Sequence, residues 1–327
     1  MKVSVYNREL ERVLILENNY ISLLWEETYN EGAKFTLELQ YSALLSSKIQ
    51  MGYFIVRADT KAVMVVDSIN IENNIMILSG SSAAKDLDKI GFVGTIESGK
   101  NVFVAINTAY NETRKNNIID IVSTDISDIY SHDISHKSIY ELILEICQTT
   151  DVGFKAIKSN DKINVQLYKP VALANNIVSD MFGNISDIQY NFSDNEFKNY
   201  ALILGSGEGE SRITTFLDET NGKERYDLIV DAKDMERNTE EGETLEHYIS
   251  RLKDRGHEKL LEHKAIFGFD CAPMLQEFGV KYGVGDILTI VVNSYDLKFN
   301  SRIIKSTEKN QSNQNEITIE IGQKDLI

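Results

Sequence analysis

Between Phe35 and Tyr41 the chain alternates without a break: Phe35, Leu37, Leu39 and Tyr41 are apolar, and Thr36, Glu38 and Gln40 between them are polar. A period of two sends every second side chain to the same face, so the segment reads as a strand with one buried and one wet face. Strand signals recur through the first hundred residues. Trp25 sits on a preceding strand, and Asn30, Glu31 and Gly32 supply the turn between the two. Val63 to Val66 is continuously apolar, the pattern of a strand covered on both faces. Ile69 and Ile71 are expected to meet Ile75 and Ile77 across Asn73-Asn74, a hairpin. Turn chemistry rests on Asn and Gly, because proline occurs only at Pro170 and Pro273. Short strands with tight turns predict a small barrel or sandwich over residues 1–98.

At 327 residues the chain exceeds one comfortable core, and its pattern changes twice. From Asn101 to Arg114, Val102, Phe103, Ile106 and Tyr110 recur at helical spacing, with Ser98 as the expected cap. A second helix follows, with Ile139, Leu142, Ile143, Ile146 and Cys147 on one face. Ser138 and Glu141 form a capping-box pattern at its start, and Asp151-Val152-Gly153 ends it. Strands around Phe154 to Ile157 and Ile163 to Tyr168 complete a compact α/β insertion over residues 99–170. Strands return over residues 171–327, at Tyr200 to Leu204 and Ile213 to Leu217, and Asn221-Gly222 predicts a hairpin into Tyr226 to Val230. A helix over about 234–265 interrupts them, its core from Glu243 to His263, and Gly256 within it predicts close packing. Ile287 to Val292, Lys298 to Ser306 and a last strand through Ile317, Ile319 and Ile321 follow, with Lys309 to Asn315 read as a polar loop. The fold class is α+β, mainly β.

The formal net charge of −16 argues against binding nucleic acid through its phosphates, since that affinity comes from Lys and Arg displacing counterions. A passage that must not hold DNA gains from a like-charged wall, and the same charge also serves solubility. Cys147 and Cys271 read as buried free thiols. MKVSVYNREL lacks the apolar core of a signal peptide, and no run approaches the length of a membrane span, so assembly in the cytoplasm is expected.

Candidate chemistry is thin. Gly205-Ser206-Gly207-Glu208-Gly209 follows a strand, but its spacing is not that of a dinucleotide loop, no Walker lysine follows, and Glu208 and Glu210 would repel an anion. An inter-strand loop is the expectation. His132, Asp133 and His136 are the densest group of metal-ligand types, yet they precede a helix and lack HExxH spacing, so a solvated turn is the better reading. His247, His257 and His263 decorate the later helix on mixed faces. Carboxylates are too numerous to select a glycosidase pair, and no nucleophile elbow occurs. No cofactor and no catalytic residue is assigned.

A series of motifs in fixed order runs from Asn175 to Gly322: a GN turn at Gly183-Asn184, KN at Lys198-Asn199, GSGEGESR at Gly205 to Arg212, VDAKD through Asp231, Ala232 and Asp234, LKDRGHEKL through Leu252, Gly256 and Leu260, and YGVGD at Tyr282 to Asp286. Together with WEETYNEGAKFTLEL, GYFIVRAD and MILSG in the first half, they resemble the tail-hub family of Gram-positive siphophages and related contractile phage-tail-like particles. The family carries a basic position after the SG strand, where this chain has Leu87 with Lys89 nearby.

The resemblance implies the central hub of a tail tip or baseplate: two tube-like β-barrel domains with a small α/β domain and an inserted helix. It implies a homotrimer that joins a sixfold tail tube to a threefold spike or fibre, contacts the tube or distal tail protein and the tape-measure protein, and lets DNA pass without specific binding. The expected location is the tail tip of a virion or phage-tail-like particle. Gly205, Gly207, Gly209, Arg212, Gly283, Gly285 and Asp286 are expected to determine the fold, the glycines through backbone freedom. The family pattern closes at Gly322, so no lysin domain is expected. A β-rich wall-degrading enzyme and a carbohydrate-binding module are the alternatives.

Overall fold

The computed structural model describes residues 1–17, 19–113, 116–130, 134–193, 195–238, 242–263, 266–274, 277–312 and 314–322. The chain divides into two units, Met1–Gln189 with Phe269–Ile327, and Tyr190–Gly268.

The first unit begins with β1 (Val3–Tyr6), β2 (Arg12–Leu16), β3 (Ser22–Thr28), β4 (Gly32–Gln40), the short helix α1 (Ala43–Lys48), β5 (Phe54–Arg57), β6 (Val63–Glu72) and β7 (Ile75–Ser82). The strands pair antiparallel in the order β2-β1-β5-β6-β7-β4-β3. The alternation across β4 is visible in its packing: Phe35, Leu37 and Leu39 are buried beside Trp25, each such burial contributing about 1.5–3 kcal/mol. The continuous apolar run of β6 is explained as expected. Met64 and Val66 join one core, while Val63 and Val65 join another on the opposite face. Asn73 and Asn74, with φ of 51° and 60°, make the hairpin turn between β6 and β7. Its register differs by one from the expected facing: Ile71 opposes Met76 and Ile69 opposes Leu78, because a two-residue turn pairs Glu72 with Ile75.

The middle of the chain adds β8 (Gly91–Ile96), α2 (Val102–Glu112), β9 (Ile119–Ser123), β10 (Ile134–Ser138), α3 (Ile139–Thr150), β11 (Gly153–Ser159) and β12 (Lys162–Tyr168). The cap of α2 is Asn101 rather than Ser98, its side chain accepting from the N–H groups of Phe103 and Val104. Ser138 and Glu141 form the full capping box of α3, and Asp151 closes that helix in the left-handed region. Strands β11, β12 and β9 form a small sheet, and its side chains share a core with α2, α3 and one face of β5 and β6.

The chain continues through β13 (Ala172–Ser179) and β14 (Ile185–Ser193) into the second unit, with β15 (Tyr200–Leu204), β16 (Thr214–Asp218), β17 (Asp227–Asp231) and α4 (Leu245–Glu262). Here the expected Asn221-Gly222 hairpin is corrected. β16 and β17 do not pair with each other; both pair with β15, β16 antiparallel and β17 parallel. Asn199 explains the crossing. Its side chain accepts from the N–H of Tyr226 at 2.8 Å and donates to the carbonyl of Glu224 at 2.8 Å, so the incoming segment is pinned beside β15. Tyr248, Leu252 and Leu260 of α4 bury against Ala201, Ile203 and Val230. A Cβ on Gly256 would lie 2.7 Å from Ile203 Cδ1, the close helix-to-strand approach expected there.

Four last strands, β18 (Ile266–Pro273), β19 (Ile287–Val292), β20 (Leu297–Gln311) and β21 (Gln314–Gly322), return to the first unit's sheet. Lys309 to Gln311 are strand and not loop, because β20 is paired on both sides there, with β21 and with β3. One 13-stranded sheet therefore runs β14-β18-β21-β20-β3-β4-β7-β6-β5-β1-β2, with β19 joining β20 and β13 joining β19. The architecture is mainly β with few helices, and among the described residues no ladder closes into a barrel.

Candidate functional site

The motif residues fall into two clusters, one in each unit. In the second unit, Gly205 to Arg212 connects β15 to β16. Gly207 has φ of +102°, and a Cβ there would lie 2.7 Å from the carbonyl oxygen of Ser211; Gly209 has φ of +55°. Both use backbone freedom that other residues lack. Gly205 matters for space instead: a Cβ would meet the Tyr248 hydroxyl at 2.6 Å and Leu252 Cδ1 at 2.9 Å. Arg212 closes the loop. Its guanidinium donates to the carbonyls of Gly205 at 2.9 Å and Leu204 at 3.0 Å and pairs with Asp231. The backbone N–H of Lys233, together with Arg212, holds the Asp231 carboxyl below the usual carboxylate range. Tyr248 on α4 completes the cluster, donating to the Met235 carbonyl at 2.6 Å and accepting from the Ser206 N–H at 2.8 Å.

In the first unit, Gly283 to Asp286 leads into β19. Asp286 accepts from the N–H groups of Gly283 and Val171, both at 2.9 Å, which ties the turn to the segment before β13. Gly285 has φ of +97°, and a Cβ there would meet the Tyr29 ring at 2.9 Å. Gly283 differs: a Cβ there meets nothing within 4 Å, and its φ is not in the left-handed region. Arg302, which sequence reasoning did not single out, organises the surroundings. It donates to the Gly285 carbonyl, pairs with Asp151 at 2.8 Å, and lies over the Tyr29 ring at 4.8 Å from its centroid. A lone arginine before an apolar pair in a strand was the available signal. Burial lifts the Tyr29 hydroxyl far above the usual tyrosine range, and Asp151 adds to the effect.

His132 and Asp133 lie outside the described residues, and His136 is exposed on β10. Among the described residues no group of three His, Cys, Asp or Glu side chains is placed to hold a metal. His247 and His257 bond Glu243 at 2.9 Å and Glu219 at 2.6 Å. Cys147 and Cys271 are free and buried, and burial pushes their thiols up, that of Cys271 to about 12. No described helix is long and apolar enough to cross a membrane.

The motif side chains in both units bond to backbone, fixing turns and anchoring loops. The fold is that of phage tail proteins. The structure resembles the 43 kDa tail protein of prophage MuSo2 from Shewanella oneidensis, with a TM-score of 0.64 and 11% identity over 99% of this chain and 98% of that one. It resembles prophage tail protein gp18 from Listeria monocytogenes, with a TM-score of 0.59 and 13% identity over 100% and 96%. It also resembles the Escherichia coli c3393 protein, a component of the type VI secretion system, with a TM-score of 0.50 and 9% identity over 94% and 74%. No curated protein sequence matches. The family of Siphovirus ReqiPepy6 Gp37-like proteins matches residues 111–323, and the chain belongs to that family.

Proposed function

We propose that the chain is the central hub of a phage tail tip or of a phage-tail-like particle. In this reading three copies join a sixfold tail tube to a threefold spike or fibre, surround part of the ejection channel, and contact the tube or distal tail protein and the tape-measure protein. The segments 1–98 and 171–327 supply two tube-like domains per copy, and 99–170 is a small α/β domain. The whole-length likeness to prophage tail proteins carries the reading, and the Gp37-like family match over 111–323 supports it. The net charge of −16 suits a wall that DNA passes without being held. In this reading the chain performs no catalysis.

Native mass spectrometry of the purified chain, alone and with its tail-tube protein, tests the reading. Trimers are expected, and a chain that stays monomeric in both conditions overturns it. A zymogram on host cell walls tests the enzymatic alternative: no clearing is expected, and lysis by the purified chain would sink the structural role.

A further inference from the structure

The small sheet of the first unit, in the order β11-β12-β9, leaves β11 with a free edge. The hairpin to β12 fixes which main-chain groups point out of that edge. Ser159 pairs with Lys162 across a two-residue turn, so the groups of Ser159, Ile157, Lys155 and Gly153 face β12. Those of Lys158, Ala156 and Phe154 point the other way. The Lys158 N–H accordingly reaches the Lys61 carbonyl at 2.8 Å, and Ala62 bridges Ile157 beside it. Past that bridge the edge is open. Among the described residues, the N–H and carbonyl of Phe154 and the N–H of Ala156 have no partner. Both residues are buried, at 9% and 5% exposure, and unpaired main-chain groups on buried residues are rare in folded proteins.

The open stretch lines a cavity of about 400 Å³ through Phe154, Lys155 and Ala156. The other charged side chains of that lining are engaged. Lys169 pairs with Asp128 and Lys281 with Glu277, both at 2.6 Å. Asp286 accepts from the N–H groups of Gly283 and Val171, and Glu27 accepts from Trp25 Nε1 at 2.9 Å. Lys155 is the exception. Its ammonium lies 5.1 Å from the centroid of the Tyr168 ring and meets no carboxylate among the described residues.

We propose that an extended segment of a second tail protein adds to β11 as a fourth strand, with an Asp or Glu side chain set against Lys155. Strand addition supplies what the edge lacks, main-chain donors and acceptors at strand spacing. The residue opposite Lys155 points its side chain to the same face of the sheet, where an opposite charge is favourable. The added strand is short, because Lys61 and Ala62 already occupy the edge at Ile157 and Lys158. The inference rests on the reading of the chain as a tail-tip component and gives that component one contact.

The test compares the free chain with tail particles purified from the cells that make them. Amide exchange of residues 153–157 should be at least about 10-fold slower in the particle than in the free chain, and equal exchange overturns the strand. Ala156→Pro removes an outward N–H and leaves the bonds between β11 and β12 in place, and proline is tolerated on an edge strand. Folded by circular dichroism, that variant should enter particles about 10-fold less well than the wild-type chain. Normal entry overturns the proposal. A photo-activated cross-linker at Thr60→Cys, an exposed position in the cavity lining, identifies the occupant; the native Cys147 and Cys271 are buried, so labelling is selective. Capture of an acidic segment of a different protein is expected, and capture of a second copy alone overturns the assignment. A wild-type chain absent from the particles overturns the tail-tip reading and the strand with it, whereas each of the other failures leaves that reading standing.

Discussion

Arg57 and Glu308, 251 positions apart, form a forked ion pair, with Nη1 to Oε1 at 2.6 Å and Nη2 to Oε2 at 3.2 Å. The same guanidinium holds Asp59 through Nε at 3.0 Å and Nη2 at 2.7 Å, and its carbon lies 5.5 Å from the centroid of the Trp25 ring. Burial alone would lower the Arg57 pKa, but the hydrogen bonds it donates to Asp59 and Glu308 outweigh this and raise it. The group is a permanent cation that fastens β5 to β20.

Removing one partner should therefore destabilise the first unit strongly. Glu308→Ala leaves a buried guanidinium with only Asp59, and a loss of about 3 kcal/mol is expected in urea denaturation. Replacing both ends, Arg57→Met with Glu308→Leu, should recover much of that loss. A double variant no better than the single one would show that the pair itself stabilises.

Gly207 and Gly283 should separate sharply although both stand in glycine-rich motifs. Gly207→Ala forces a left-handed φ on alanine and drives Cβ toward the Ser211 carbonyl, a cost of about 1–3 kcal/mol. Gly283→Ala meets open space at an ordinary φ and should change stability by less than about 1 kcal/mol, with a gain allowed. Thermal melts of the two variants make the comparison.

Acid should loosen the start of α4. Hydrogen bonds from Arg251, then from the Asn238 N–H and His247, hold the Glu243 carboxyl down at about 2, against an ordinary value of 4.5. A depressed carboxylate contributes stability that is fully present above the unfolded value and is lost as pH falls through the folded one. The window is pH 4.5 down to about 2, and Glu243→Gln should flatten it. Amide exchange of α4 across that range reads the effect.

Asn199→Ala should weaken the attachment of β17 to β15, because its side chain supplies two of the bonds to the 224–226 segment, beside the backbone bonds from Asn199 and Tyr200 to the Tyr226 carbonyl. Leaving those backbone groups unpaired costs roughly 1–3 kcal/mol each if they stay buried. Faster exchange in β17, with β16 unaffected, is the expected pattern.

Much of the fold could be read locally. Tyr200–Leu204 and Ile287–Val292 were recognisable as short apolar runs with polar borders, and the Ser138 and Glu141 box marked its helix. What escaped was pairing at a distance. Nothing near Asn221 indicates that the next strand will cross to the far side of β15, since Asn199 decides it from 25 or more residues upstream. Lys309 to Gln311 looked like a loop because its strand is held by backbone bonds to β3 and β21, which leave no apolar signature. The site was legible in the same uneven way. The φ of Gly207 and Gly285 followed from their motifs, whereas Arg302 gained its role only when Tyr29, Asp151 and Gly285 were brought around it.

The placement of β3 between β4 and β20 also sets a timetable. β4 reaches the growing chain's sheet at once, but the far side of β3 must wait for β20, in which Gln311 is the partner of Ser22. At ordinary translation speed that is roughly 15–60 s with an open strand edge beside Leu23 and Trp25. Glu26 and Glu27 lie on that waiting edge, where charge discourages stray pairing before Lys305 arrives to meet Glu26 at 2.8 Å. A strand made long after β3 is thus the one that makes the first sheet safe.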